Sequence, residues 1–180
     1  MKWKILNSEI VFKTSHFEIK KDKCQKSDGK IIESYYTMNK PDVVVIAAFT
    51  KNKEVVLIKQ YRHPVKDVDH ELPAGYIDEG EDIEIAAERE LLEETGFKAE
   101  KLIHLKTTYA SAGTMNNNVY FFIGLNAEKI QEQKLDETEE LVVEVMKWEK
   151  ALEMFNEGKI KDMGSFACMY IAKEYLENNE

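Results

Sequence analysis

The stretch Gly75–Phe97, GYIDEGEDIEIAAERELLEETGF, constrains this chain more than any other. At helical pitch Ile83, Ala87, Glu90 and Glu94 fall on one row, spaced i, i+4, i+7, i+11. A helix that packs along its whole length would continue such a row with Leu or Val; here it turns from apolar to acidic. Like charges at i, i+4 cost an isolated helix about 0.2–0.5 kcal/mol. A cation held by both carboxylates turns that cost into a gain, and hard divalent ions take oxygen ligands. Asp82 is placed to cap the helix start, and Gly96 to end it in a left-handed conformation. Pro73-Ala74-Gly75 gives a rigid approach and then a turn where backbone can come close to a ligand. A solvated Glu-rich helix is the ordinary alternative, but it does not explain why acids continue the row begun by Ile83 and Ala87.

The 180 residues predict one main domain able to bury a real core. A hydrophobic fraction of 43% with 33% charged residues describes a soluble globular chain. The net charge of −9 argues against a nucleic-acid partner, and a polyanionic substrate would need cations to approach. No apolar run reaches membrane-spanning length, and the first ten residues, MKWKILNSEI, lack a secretory apolar region. Cys24 and Cys168 stand alone, so neither a disulfide framework nor a cysteine zinc site is indicated. Cytoplasmic residence is the expectation. His16, His63, His70 and His104 show no metal-ligand helical spacing.

Along the chain, Glu9–Phe12, Phe17–Lys21 and Ile31–Met38 read as loose, Lys-rich strands, the last two joined across Ser27-Asp28-Gly29. They suit an edge sheet or appendage more than a core. After the break at Asn39-Lys40-Pro41, Val43–Thr50 and Glu54–Gln60 predict a hairpin at the heart of the main sheet. Leu102–Thr108, Asn118–Leu125 and Leu141–Lys147 are further strands. Glu149–Asn156 predicts a helix ended by Gly158, and Asp162 caps a last helix with Met163, Phe166, Ala167, Tyr170 and Ile171 at helical spacing. Strands with interspersed helices give an α+β or α/β sandwich.

The segment fills every fixed position of G-x5-E-x7-R-E-U-x-E-E-x-G-U, where U is apolar. Gly75, Glu81, Arg89, Glu90, Leu91, Glu93, Glu94, Gly96 and Phe97 occupy them, and the chain thereby resembles the Nudix hydrolases. The resemblance implies an α+β fold, the α/β/α Nudix sandwich, with a mixed sheet carrying the box helix. It implies a Mg2+-dependent enzyme, Mn2+ being able to substitute, that cleaves a nucleoside diphosphate linked to another group. Glu90 and Glu94 are the natural metal ligands, to which the resemblance adds the Ala74 carbonyl. Glu93 lies about 60° round the helix from Glu90 and can flank the same site. Arg89 and Glu93 form an i, i+4 pair, so Arg89 is expected to orient that carboxylate; a surface ion pair is the alternative.

Gln60-Tyr61-Arg62, Glu71-Leu72-Pro73-Ala74-Gly75, Ser111-Ala112-Gly113 and the acidic run Asp136–Glu140 resemble the ADP-ribose pyrophosphatase branch over nearly the whole length. Arg62 is carried over as a diphosphate contact, which suits a guanidinium, and Tyr76 and Asn117 join it as substrate-binding residues. The branch usually shows S-P-G with a glutamate four residues after the glycine; Ala112 and Asn117 stand there instead, which widens the expected substrates to other nucleotide sugars. The resemblance also places a catalytic glutamate at Glu137 and an assisting metal ligand at Glu139, with Glu140 and Glu93 as alternatives for the base. Branch members commonly swap their N-terminal region, so residues 1–40 are expected to be a β appendage exchanged in a homodimer, and 41–180 the hydrolase domain. Hydrolysis of nucleoside triphosphates or dinucleoside polyphosphates is the second reading. A non-catalytic nucleotide-sensing module is a third, and it would be expected to lose the box carboxylates that this chain keeps.

Overall fold

The computed structural model describes residues 1–136 and 139–179. The chain forms two compact units, Met1–Asp42 with Thr108–Asn118, and Val43–Thr107 with Val119–Glu180.

In the first unit β1 (Lys4–Lys13), β2 (Glu18–Gln25) and β3 (Ile31–Asn39) form an antiparallel sheet in that order. Gly29, at φ 85°, makes the β2–β3 turn, and Asp28 Oδ1 accepts the Lys30 amide at 3.0 Å. β1 is exposed along its whole length, apolar residues included, with Ile5 61% exposed and Phe12 52%. The loop 108–118 is held by this unit's own bonds: Met38 N donates to Thr114 O at 2.7 Å and Tyr35 Oη to Gly113 O at 2.8 Å.

The second unit is built on an eight-stranded mixed sheet. Its strands are β4 (Val43–Thr50), β5 (Glu54–Arg62), β6 (Asp67–Glu71), β7 (Ala74–Tyr76), β8 (Phe97–Lys98), β9 (Lys101–Tyr109), β10 (Asn118–Lys129) and β11 (Leu141–Lys147). The main path runs β11-β5-β4-β10-β8, and only β4 and β10 pair in parallel within it. β4 is apolar on both sides because both faces are covered. Val44, Ile46 and Ala48 pack with Ala86, Ala87 and Leu91 of α1 (Ile83–Thr95). Val45, Ala47 and Phe49 pack with Ala151 of α2 (Trp148–Asn156) and with Cys168, Met169 and Ala172 of α3 (Met163–Glu177). Helices thus cover both faces of the mixed sheet, the α/β/α sandwich that was expected.

α3 begins where Asp162 was expected to cap it, the Asp162 carboxylate accepting the Ser165 amide at 2.8 Å. Of the apolar row read in the sequence, Ala167 and Ile171 pack partly buried against the core, but the fully buried face lies beside that row. Ser165, Cys168, Met169 and Ala172 face the sheet, while Met163, Phe166 and Tyr170 stay 71%, 45% and 55% exposed. Apart from Met169 that face is made of small side chains, and the helix lies close to β4, where Cys168 Sγ approaches the Val45 carbonyl.

Candidate functional site

α1 is fixed at both ends. Asp82 accepts the Glu84 amide at 2.8 Å, and Gly96 takes up φ 75°. Burial of Ala86, Ala87 and Leu91 then turns the acidic end of the row toward β7. Glu94 is only 4% exposed, and its Oε2 accepts the Ala74 amide at 2.9 Å. Glu90 lies against Gly75 so closely that a Cβ there would fall 2.0 Å from the Glu90 Cδ. Glycine at 75 is therefore what admits the carboxylate.

Arg89 holds this corner together. Its Nε and Nη2 reach the two Glu81 oxygens at 2.8 and 2.7 Å, a bidentate pair. Nη2 also donates to the Tyr76 carbonyl at 2.9 Å, and Nη1 to Glu90 Oε1 at 2.7 Å. The i, i+4 contact with Glu93, on which the sequence argument relied, is the longest at 3.4 Å. Arg89 thus ties the Glu81 loop, β7 and Glu90 to one another, and Glu93 only marginally. Glu81 is the residue that sequence reasoning left without a role; its place in the box pattern was the available signal.

Arg62, at the end of β5, donates from Nε to Glu71 Oε1 at 2.8 Å and from Nη2 to Oε2. Glu71 is 2% exposed, so this pairing satisfies a buried carboxylate. The guanidinium also feels the Glu94 and Asp162 charges and sits beside a cleft of about 540 Å3. Glu71 comes from the same strand run, β6 to β7, that carries Ala74. Leu72 N, in that run, donates to the fully buried Ser165 hydroxyl at 2.9 Å.

The electrostatics mark the carboxylate pair. Burial pushes the Glu94 carboxyl well above its ordinary range; Glu90 and Glu139 push the same way, while the Ala74 amide and Arg62 oppose. Burial raises Glu90 too, with Arg89 opposing and Glu93 and Glu139 adding. Glu139 therefore lies within electrostatic reach of both, although 43 residues stand between it and the end of the helix at Thr95. Its own Oε2 accepts the Asp136 amide at 3.0 Å. Glu93 is on the open side, its Oε1 3.9 Å from Lys134 Nζ.

Ala74, Glu90 and Glu94 come together with Arg62 and Arg89 nearby, and Tyr76 contributes its carbonyl to Arg89 while its side chain is 40% exposed. Asn117 belongs to the first unit, where it is 3% exposed with its Oδ1 unpaired. Glu137 lies outside the described residues. Among the described residues no three acidic, histidine or cysteine side chains converge on one point as they stand. The donor set around Glu90 and Glu94 is nonetheless all oxygen and short of neutralising charge, which fits a hard divalent cation. Such a corner can neutralise anionic oxygens and activate water, the two needs of phosphoanhydride hydrolysis.

A carboxylate corner at a helix–strand junction, with arginines beside it, suits a cation-assisted phosphoanhydride hydrolase. Residues 38–164 match the NUDIX domain, and residues 3–38 the nucleoside diphosphate sugar hydrolase N-terminal domain. The chain belongs to the Nudix family, whose hydrolases generally use a divalent metal. It is 33% identical to the ADP-ribose pyrophosphatase of Bacillus subtilis over 76% of either chain. It is 27% identical to the methanol dehydrogenase activator of Bacillus methanolicus, over 98% of this chain and 94% of that one. A crystal structure of an ADP compounds hydrolase shares the fold at TM-score 0.87 and 22% identity, covering 99% of this chain and 96% of that one. No helix among the described residues is long and apolar enough to cross a membrane.

Proposed function

We propose that this protein is a Mg2+-dependent pyrophosphatase of nucleoside diphosphate sugars, acting on ADP-ribose or a close relative. Its products are a nucleoside monophosphate and a sugar phosphate. One observation carries this: Glu90 lies against Gly75 and Glu94 on the Ala74 amide, in a chain whose residues 3–38 match the sugar-hydrolase N-terminal domain. The Glu90 and Glu94 carboxylates, the Ala74 carbonyl and Glu139 hold the cation, and Mn2+ substitutes. The bound cation supplies charge neutralisation at the diphosphate and a water of lowered pKa. Arg89 keeps Glu90 in place through Glu81 and the Tyr76 carbonyl. Arg62, anchored on Glu71, presents its remaining donor edge to the diphosphate, and Tyr76 contacts the rest of the substrate. Glu137 takes the proton from the attacking water, with Glu93 next in line.

The protein acts as a cytoplasmic homodimer in which residues 1–40 reach a second copy. The exposed apolar residues of β1 support this, since a sheet edge of that kind invites pairing. The test is a panel of ADP-ribose, GDP-mannose, UDP-glucose, ATP and a diadenosine polyphosphate with Mg2+, following nucleoside monophosphate release. Preference for the sugar diphosphates by tenfold or more in kcat/KM is expected. Preference for ATP or the dinucleotide would overturn the substrate class.

A further inference from the structure

The last turn of a helix leaves carbonyls with no intrahelical partner. In α1 another piece of chain satisfies them. The Lys134 amide donates to Glu93 O at 2.8 Å, Gln133 Nε2 to Glu94 O at 2.6 Å, and the Ile130 amide to Gly96 O at 2.9 Å. Residues 130–134 leave β10 and run across the end of the helix. The crossing is close: a Cβ on Gly96 would sit 2.1 Å from the Gln131 carbonyl oxygen, a backbone atom that cannot swing aside. Gly96 is thus required twice, by its φ of 75° and by this crossing.

The same segment leads to Glu139. Glu139 is tied to Asp136 by two bonds, its N donating to Asp136 O at 3.0 Å and its Oε2 accepting the Asp136 amide at 3.0 Å. Leu135 is the one residue between Asp136 and the pinned Lys134. Without the pin, the two residues from Lys134 to Asp136 could carry the Asp136–Glu139 pair over roughly 7 Å.

We propose that Gln133 is a positioning residue for the cation site. With the Lys134 amide it pins the segment 130–134 to the carbonyls of Glu93 and Glu94, and so sets Glu139 relative to the Glu90 and Glu94 carboxylates. The pin is anchored on the backbone of Glu94, a proposed ligand, and of its neighbour Glu93, so helix and loop move as one. This rests on the proposal above that Glu90, Glu94 and Glu139 are cation ligands.

The test needs no substrate. Mn2+ affinity and amide hydrogen exchange are measured on the full chain and on Gln133→Ala, Gln133→Lys and Glu94→Gln. Gln133→Ala should weaken Mn2+ binding about tenfold, in the usual range for groups that orient ligands. It should also speed exchange of the Lys134 and Glu139 amides. Gln133→Lys, which restores a donor suited to a helix C-terminus, should recover most of both. If Glu94→Gln abolishes Mn2+ binding while Gln133→Ala stays within twofold of the parent, the positioning role is refuted and the cation site stands. If Glu94→Gln binds Mn2+ as the parent does, the ligand assignment has failed and the inference falls with it.

Discussion

Removing Glu81 or Glu93 separates two accounts of Arg89. The pair with Glu81 is bidentate at 2.8 and 2.7 Å, between side chains 28% and 13% exposed. Hydrogen bonds to charged groups contribute about 1.5–3 kcal/mol when sheltered, and exposed ion pairs about 0–1. A half-sheltered fork should couple by about 2 kcal/mol. The Glu93 contact, at 3.4 Å and with Glu93 34% exposed, should couple by less than about 0.5 kcal/mol. The assay is urea unfolding of two double-mutant cycles, Glu81→Ala with Arg89→Ala and Glu93→Ala with Arg89→Ala. In melting temperature, Glu81→Ala should lose about 4–8 °C and Glu93→Ala less than about 2 °C, taking ~2–4 °C per kcal/mol for a chain of this size. Coupling to Glu93 as large as that to Glu81 would refute the reasoning and restore the i, i+4 pair as the main contact.

Gly75→Ala places a Cβ 2.0 Å from the Glu90 Cδ, which a flexible side chain can yield to. It should therefore cost little stability but lower kcat about 10²-fold, the scale of a small misplacement at a reacting centre; parent-like turnover would show that Glu90 need not lie there. Gly96→Asn should be no better than Gly96→Ala in thermal melts, both losing more than about 4 °C. Asn tolerates the backbone angle but not the approach of the Gln131 carbonyl. The raised Glu94 carboxyl means that the folded chain keeps a proton the unfolded chain gives up. Stability from this group is full below the unfolded-state pKa and is lost as pH rises through the folded value. Because a cation competes with that proton, added Mg2+ should raise the melting temperature more at about pH 7.5 than at about pH 5. An equal or larger gain at the lower pH would contradict the shift.

Much of this was legible in the sequence because it is local. The row Ile83, Ala87, Glu90, Glu94, its caps Asp82 and Gly96, and the apolar run of β4 all follow from period and turn chemistry within one segment. What was not legible depends on approach between segments. β6 and β7 are short, and β7 holds a glycine; they are strands because β5 and β4 pair with them. The buried face of α3 follows from how near it comes to β4, which favours Ser165, Cys168 and Ala172 over the larger apolar side chains beside them. Arg89 was assigned to Glu93 because they are neighbours on a helix, yet the loop residue Glu81 presents both oxygens to the fork. The Arg62–Glu71 pair and the capping of α1 by residues 130–134 likewise join positions that no periodicity connects.

The most direct measurement is a Mg2+ titration of ADP-ribose hydrolysis by the parent and by Glu94→Gln, with excess chelator as the zero point. Saturable activation of the parent is predicted. Glu94→Gln should be slower by at least about 10²-fold at every Mg2+ concentration, in keeping with loss of a cation-assisted step worth several kcal/mol. Full parent activity in chelator, or a Glu94→Gln variant within a few-fold of the parent, would contradict the claim that this acidic corner is a cation-dependent hydrolytic site.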